Sequence, residues 1–157
     1  MSALRFDHAA IPIGDPVQSY RFYGETLGLP LVDVLAGRDW GGRDWLMMIF
    51  SLSDSRQLAL ISLRGLTPKR QRGLPRDAIH YAFAVNTKRA LANWKDKLDG
   101  AGIAYWEEQH GEQSSLYFED PNRIILEITA PPSWPEPRLE RDPKALIRRW
   151  VKAGEAP

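Results

Sequence analysis

The sequence predicts an α+β fold: two copies of a strand–helix–three-strand module, their eight strands forming one cup-shaped mixed sheet with the helices outside. Three observations predict it. The order strand, helix, strand, strand, strand reads twice along the 157 residues. His8 and His80 occupy matching places, each in the strand before its helix. Both helices carry a start signal and a glycine stop. The expected divisions are a first module over 1–66, a linker over 67–77 and a second module over 78–130, with a Pro-rich linker and a terminal helix over 131–157.

The elements follow in order. "HAAIPI" is a strand that ends at Gly14. Asp15 is a good N-cap, and Pro16 sits at the first helical position, where its missing N–H costs nothing. In "VQSYRFYGETLG", Val17, Tyr20, Tyr23 and Leu27 recur at helical spacing, so they are the expected buried face, and Gly28 is the stop. "LPLVDVL", "WLMMIFSL" and "RQLALISL" read as strands. In the second copy "AIHYAFAVN" is the strand and Thr87 the cap of "KRALANWKDKLDGAG", whose stripe is Leu91, Trp94 and Leu98 and whose stop is Gly100 or Gly102. "IAYWEEQ", "SSLYFEDP" and "RIILEITA" complete it, with "DPN" as a turn. In the tail, "PPSWPEP" reads as an extended linker. Asp142 and Pro143 repeat the cap signature and open a helix with Leu146, Ile147, Trp150 and Val151 apolar, expected to dock on its own domain or a partner subunit.

Composition excludes several classes. A net charge of +1 gives no reason to expect nucleic acid as a partner. The basic cluster "TPKRQRGLPR" is short, proline-broken and free of interleaved aromatics, and reads as a solvated linker. No apolar run is long enough to cross a bilayer. The absence of cysteine removes disulfides and thiolate metal sites, and with no signal pattern in "MSALRFDH" a cytoplasmic protein is expected.

Strand alternation then sorts side chains by face. His8, Ala10 and Pro12 share one side of the first strand, and His80, Ala82 and Ala84 share one side of the fifth. The bulkier alternates should meet the helices, which leaves each histidine on the concave side. In "RIILEITA" the set Ile124, Leu126 and Ile128 faces the helix, so Glu127 joins Ile125 and Thr129 on the concave side. A carboxylate in an apolar strand is costly unless it is paired, hydrogen-bonded or bound to a metal. Two imidazoles and one carboxylate make a facial triad with open positions, and His8, His80 and Glu127 are expected to converge on one divalent ion.

Through "FDHAAIPIGDP", "FYGETLGLPLV", "IHYAFAV" and "SLYFEDPNRIILEI", roughly residues 4–130, the chain resembles the vicinal oxygen chelate superfamily. That group includes glyoxalase I, fosfomycin-resistance enzymes, methylmalonyl-CoA epimerase, bleomycin-binding proteins and extradiol ring-cleaving dioxygenases. The resemblance implies paired modules around a divalent metal, with the ligands falling on His8, His80 and Glu127. Glyoxalase I and the epimerase have a fourth, proton-transferring ligand where this chain has Ala59 or Ile61, so their chemistry would lack its base.

The three-ligand members remain. Extradiol enzymes and fosfomycin transferases resemble this sequence in having a tyrosine at Tyr117, which either hydrogen-bonds a metal-bound oxygen or packs. Extradiol enzymes also have an acid–base histidine near the position of His110, here in the loop-like "EEQHGEQSS" with its spacing shifted. The alternative reading of His110 is a solvated loop residue. The inferred cup walls, Ala10, Pro12, Ala82, Ala84 and Ile125, carry no cation for a phosphonate and suit an aromatic or apolar small molecule. "GRDWGGRDW" reads equally as a lid or as a plain turn.

The leading expectation is an Fe(II) extradiol-type dioxygenase acting on a catechol-like substrate. A lyase, isomerase or transferase using Mn, Ni or Zn, and a bleomycin-type binding protein, are the alternatives. A homodimer is expected, and the cup closes either within one chain or between two.

Overall fold

The computed structural model describes residues 6–53, 55–69, 73–132 and 142–154. Strand β1 (His8–Ile13) leads into helix α1 (Pro16–Tyr20), which continues as a π-helical segment, Arg21–Thr26. Strands β2 (Leu31–Gly37), β3 (Trp45–Ser51) and β4 (Gln57–Leu63) complete the first module. The second repeats it with β5 (His80–Ala84), α2 (Lys88–Gly100), β6 (Tyr105–His110), β7 (Gln113–Glu119) and β8 (Ile125–Ala130). A terminal helix, α3 (Pro143–Gly154), follows. Each module is one four-stranded mixed sheet, ordered β1-β4-β3-β2 and β5-β8-β7-β6. In each sheet the first strand runs parallel to the last, a pairing that needs a long crossover connection, here the helix and the two strands between them. The repeat is therefore real, and the eight strands form two sheets.

The helix caps are as the sequence dictates. Asp15 accepts from the N–H groups of Val17 and Gln18, and Thr87 accepts from that of Ala90. Gly28 and Gly102 take positive φ at the helix ends, so Gly102 is the stop of α2. The stripe of the first helix differs from the expected one. Ser19, Phe22, Tyr23 and Leu27 are buried, whereas Val17 and Tyr20 are exposed. The segment winds with i→i−5 bonding, as in Leu27 N–H to the Phe22 carbonyl, and this wider turn shifts the inward face away from 3.6-residue spacing. On α2, Leu91 and Leu98 are buried and Trp94 packs against the core, as expected.

One core joins the modules: Ile11, Tyr23, Phe50 and Leu60 from the first meet Leu91, Phe118 and Leu126 from the second. The "DPN" turn is a polar joint in this core. Asp120, itself buried, accepts from the Tyr23 hydroxyl at 3.0 Å and from the N–H groups of Asn122 and Ile124 at 2.8 Å each. The Asn122 side chain crosses to the first module, accepting from Gly14 N–H at 2.8 Å and donating to Ser19 Oγ. Burial and the Asp120 carboxylate together raise the Tyr23 phenol well above its ordinary range. Asp120→Ala leaves that buried hydroxyl and two backbone donors without acceptors. A loss of about 3 kcal/mol is expected, read as a Tm lower by roughly 10 °C. An unchanged melting curve would mean that the joint carries no net stability.

The terminal helix caps at Asp142, which accepts from Lys144 N–H. Leu146, Ile147, Trp150 and Val151 are all exposed, so docking on the chain's own body is absent among the described residues. Most of the Pro-rich segment, residues 133–141, lies outside the described residues, as do 70–72 of the basic cluster. No helix among the described residues is long and apolar enough to cross a membrane.

Candidate functional site

The concave face of the second sheet is built by register. Ala82 pairs with Glu127, Glu127 with Tyr117 and Tyr117 with Trp106, so a row of side chains crosses the four strands on one side. His80 pairs with Ile125, one step along on the same face. Strand alternation in "HYAFA", "ILEITA" and "YWEEQH" fixes this placement, since residues two apart share a side.

His80 Nδ1 lies 2.7 Å from the carbonyl oxygen of Asp77. A carbonyl only accepts, so Nδ1 carries the hydrogen and Nε2 is turned into the site. There Nε2 faces Glu127 Oε2 at 3.0 Å. Two acceptors at that separation need a shared proton or a cation. Glu127 is buried, with its side chain 8% exposed, which sharpens the need. The second available partner of Glu127 is Tyr117, whose hydroxyl bonds to the carboxylate. Desolvation first, then the charge and hydrogen bond of Glu127, push the Tyr117 phenol up to about 12. It is a neutral donor, not a base, across the physiological range.

That shift has a checkable sign. In the metal-free protein Tyr117 should keep its proton until about pH 12, where an ordinary phenol loses it near 10. The stability it contributes is complete below pH 10 and fades as pH climbs through about 12, because the unfolded chain releases the proton first. Glu127→Gln should bring the titration down, seen in ring-labelled tyrosine NMR; no change would remove Glu127 as a cause.

His110 is the last residue of β6, not a loop residue. Gly111, at φ 66°, takes the first central position of a two-residue hairpin turn to Gln113, a place that favours glycine. The ring belongs to the same face as Glu108 and Trp106. Its Nε2 lies 3.2 Å from Glu108 Oε2 and 3.4 Å from the Tyr117 hydroxyl. With the Tyr117 proton directed to Glu127, both neighbours of Nε2 are acceptors, so Nε2 carries a hydrogen. Glu108 also accepts from the Trp106 indole N–H at 2.8 Å. Sequence reasoning missed Glu108 and Trp106. Their signal was present in the i, i+2, i+4 spacing of Trp106, Glu108 and His110.

His8 lies on the expected concave side of the first sheet, exposed, and pairs across to Gln57. Ala59 and Ile61 share that face through their pairing with Ala10 and Pro12, so no ligating side chain stands at either position. His8 Nδ1 meets Asp7 Oδ1 at 2.7 Å, which turns its Nε2 outward just as the Asp77 carbonyl does for His80. An oxygen acceptor holding the far nitrogen is the usual support of a metal-binding imidazole. Yet the structure does not bring His8 to His80 and Glu127. Among the described residues, no three His, Asp or Glu side chains stand close enough to hold one ion. The physical reason is topological: β1 and β5 are edge strands of separate sheets with no ladder between them. A cleft of about 890 Å³ is lined there by Ala9 and Leu58 from one module and Tyr81, Phe83 and Val85 from the other.

The "GRDWGGRDW" stretch is a closed hairpin. Trp40 and Arg43 exchange backbone bonds, Trp40 packs edge-on to Trp45, and Arg43 donates to the Arg64 carbonyl. Its Arg43 is thus tied to the first module's own strand end.

Comparisons with known proteins agree with this architecture. The family described as Glyoxalase/Bleomycin resistance protein/Dioxygenase superfamily matches residues 5–128. An integron cassette protein from the mobile metagenome of the Halifax Harbour sewage outfall is 25% identical, with a TM-score of 0.58 over 80% of this chain and 97% of its own. The glyoxylase/bleomycin resistance protein/dioxygenase domain from Frankia sp. EAN1pec is 21% identical, with a TM-score of 0.66 over 82% and 98%. Oxidase ChaP-H2 is 22% identical, with a TM-score of 0.59 over 83% and 96%. None of the curated proteins matches the chain.

Proposed function

This chain belongs to the glyoxalase/bleomycin resistance protein/dioxygenase superfamily, and on that premise we propose that it is a metal-dependent enzyme of the extradiol dioxygenase type, acting on a catechol-like aromatic. The observation that carries the reading is the His80–Glu127 pair: two acceptors 3.0 Å apart, one of them a buried carboxylate. This donor set fits a divalent cation, with Fe(II) favoured and Mn, Ni or Zn as the alternatives. His80, Glu127 and His8 would hold it. When bound, the metal supplies positive charge that stabilises anionic oxygens of a substrate chelating through two neighbouring oxygens.

The rest is the work of this chain. Ala82, Ala84 and Ile125 give the site small and apolar walls that admit an aromatic ring. Tyr117, held neutral, donates a hydrogen bond beside the carboxylate. His110 keeps a proton on Nε2 next to Tyr117, with Glu108 behind it as a support, which is the disposition of a general acid. The absence of a ligating side chain at Ala59 and Ile61 argues against proton abstraction of the glyoxalase kind. The oxidase name of one structural relative points in the same direction.

His8 reaches such a site if the cup closes between two chains, and we read the assembly as a homodimer. Strand β2 supports this, since it exposes Leu31, Val32, Val34 and Leu35, apolar on both its sides. The test is metal analysis of anaerobically purified protein, then oxygen uptake with a panel of catechols. Bound iron with iron-dependent uptake is expected. Metal-free protein that still binds small aromatics would replace the enzyme with a sequestering protein.

A further inference from the structure

The linker between the modules, read from its sequence as a solvated basic stretch, ends in a turn whose residues touch the site. The Arg76 guanidinium carbon lies over the Trp106 ring, 4.3 Å from its centroid. Trp106 in turn stacks on Tyr117, with centroids 5.2 Å apart and planes 18° from parallel. Tyr117 then meets the His80 ring edge-on at 5.6 Å. One residue after Arg76, the Asp77 carbonyl fixes the tautomer of His80.

We propose that Arg76 and Trp106 are positioning residues: this turn and the stack it caps hold Tyr117 in the one orientation that places its hydroxyl between Glu127 and His110. The physical case is one of immobilisation. Trp106 is pinned by Tyr117 and Arg76 at its ring and by Glu108 at its N–H, so it has three partners and little rotational freedom. A cation over an indole is the most favourable of the cation–π pairs. The Tyr117 ring is buried, and Trp106 is the one large ring lying parallel to it among the described ring contacts. Loss of the Trp106 ring opens a gap beside this buried phenol, into which Tyr117 can turn about χ1 and take its hydroxyl out of reach of its partners. Among the described hydrogen bonds and ring contacts Arg76 reaches Trp106, and Trp106 reaches Tyr117 and Glu108, so the route from this pair to the site runs through Tyr117.

This inference rests on the proposed enzyme, but its first test does not. In metal-free protein, the ring resonances of Tyr117, assigned by their loss in Tyr117→Phe, should carry an upfield shift from the Trp106 ring current. Trp106→Leu should abolish that shift. Arg76→Ala should reduce it and broaden the signal, and Arg76→Lys, which keeps a cation over the ring, should restore most of it. Arg76 is at the surface, so its variants leave the fold intact, and Trp106→Phe provides a second stacked ring if Trp106→Leu folds poorly. In the metal-loaded enzyme both losses should lower kcat by roughly 10- to 10²-fold, with KM and metal content unchanged. An unshifted Tyr117 in the wild type, or a shift that survives Arg76→Ala undiminished, overturns the proposal. So does a rise in KM at constant kcat, which would make Trp106 a substrate contact. Catechols that fail to react would sink the dioxygenase reading alone and leave the NMR result standing.

Discussion

Replacing Glu127 with alanine is expected to strip the protein of most of its metal, with at least a 10²-fold loss of affinity. Mutating a partner that merely supports a ligand already costs about 10- to 10²-fold, and Glu127 is the anionic member of the proposed set. Its removal takes away both a donor atom and the charge that balances a divalent cation against two neutral imidazoles. The buried position strengthens the effect, because little water can replace the lost oxygen at a side chain 8% exposed. Glu127→Gln separates the two contributions: it keeps the acceptor for Tyr117 while deleting the charge, and should also lose metal. Metal per chain by elemental analysis gives the direct reading. Thermal melts give a second, since a ion that binds only the folded state raises Tm in the wild type and should not in either variant. Full occupancy in Glu127→Ala would remove this residue from the ligand set.

The parts of this site that were legible in the sequence are those set by local periodicity. A period of two in "HAAIPI", "HYAFA" and "ILEITA" is enough to place His8, His80 and Glu127 on the non-helical faces, and each is found there. The caps at Asp15 and Thr87 are equally local, one side chain reaching an N–H two or three residues on. The misreadings have different physical origins. Spacing cannot announce a π-helical turn: a 3.6-residue period groups Val17 and Tyr20 with Tyr23 and Leu27, whereas Ser19 and Phe22 are the residues buried beside that last pair. The hairpin at Gly111 is so short that "EEQHGEQSS" looks like a loop, although its polar residues are strand positions on an open sheet face.

What lay beyond the sequence is what depends on the arrangement of the two modules. The repeat puts His8 and His80 at equivalent places, but equivalence says nothing about the distance between two edge strands that share no ladder. Likewise the Arg76–Trp106 contact joins residues on different elements through the geometry of a turn, and no periodic pattern encodes it. The "DPN" turn shows the converse. It lies inside "SLYFEDPNRIILEI", one of the stretches that carry the family resemblance, and its side chains tie the second module to Gly14, Ser19 and Tyr23 of the first. Its distinctive residues therefore serve the joint on which the site's framework depends, and need no chemical role to account for them.

His110→Ala is expected to leave metal content intact and slow turnover by roughly 10²–10⁴-fold, the usual range for a general acid or base. The geometry separates this effect from that of Glu127. His110 Nε2 faces Glu108 at 3.2 Å and Tyr117 at 3.4 Å, and neither is a proposed ligand. Because both neighbours are acceptors, the ring offers a proton, and alanine removes it without opening the metal site. Glu108→Gln should reproduce part of the loss, since the amide still accepts from the indole N–H but no carboxylate anchors the His110 ring at 3.2 Å. Tyr117→Phe should slow the reaction as well, through loss of the hydroxyl that both Glu127 and His110 approach. Anaerobic loading with Fe(II), followed by oxygen uptake at several catechol concentrations, distinguishes kcat from KM in each variant. Oxidation to Fe(III) should abolish turnover in all of them. The first sheet supplies the opposing control: with only Ala59 and Ile61 where a base would have to stand, no turnover of the methylglyoxal–glutathione adduct is expected with Ni or Zn. Vigorous glyoxalase turnover with either metal, together with no oxygen uptake across the catechol panel, would overturn the dioxygenase assignment while leaving the fold and its His80–Glu127 pair as they are.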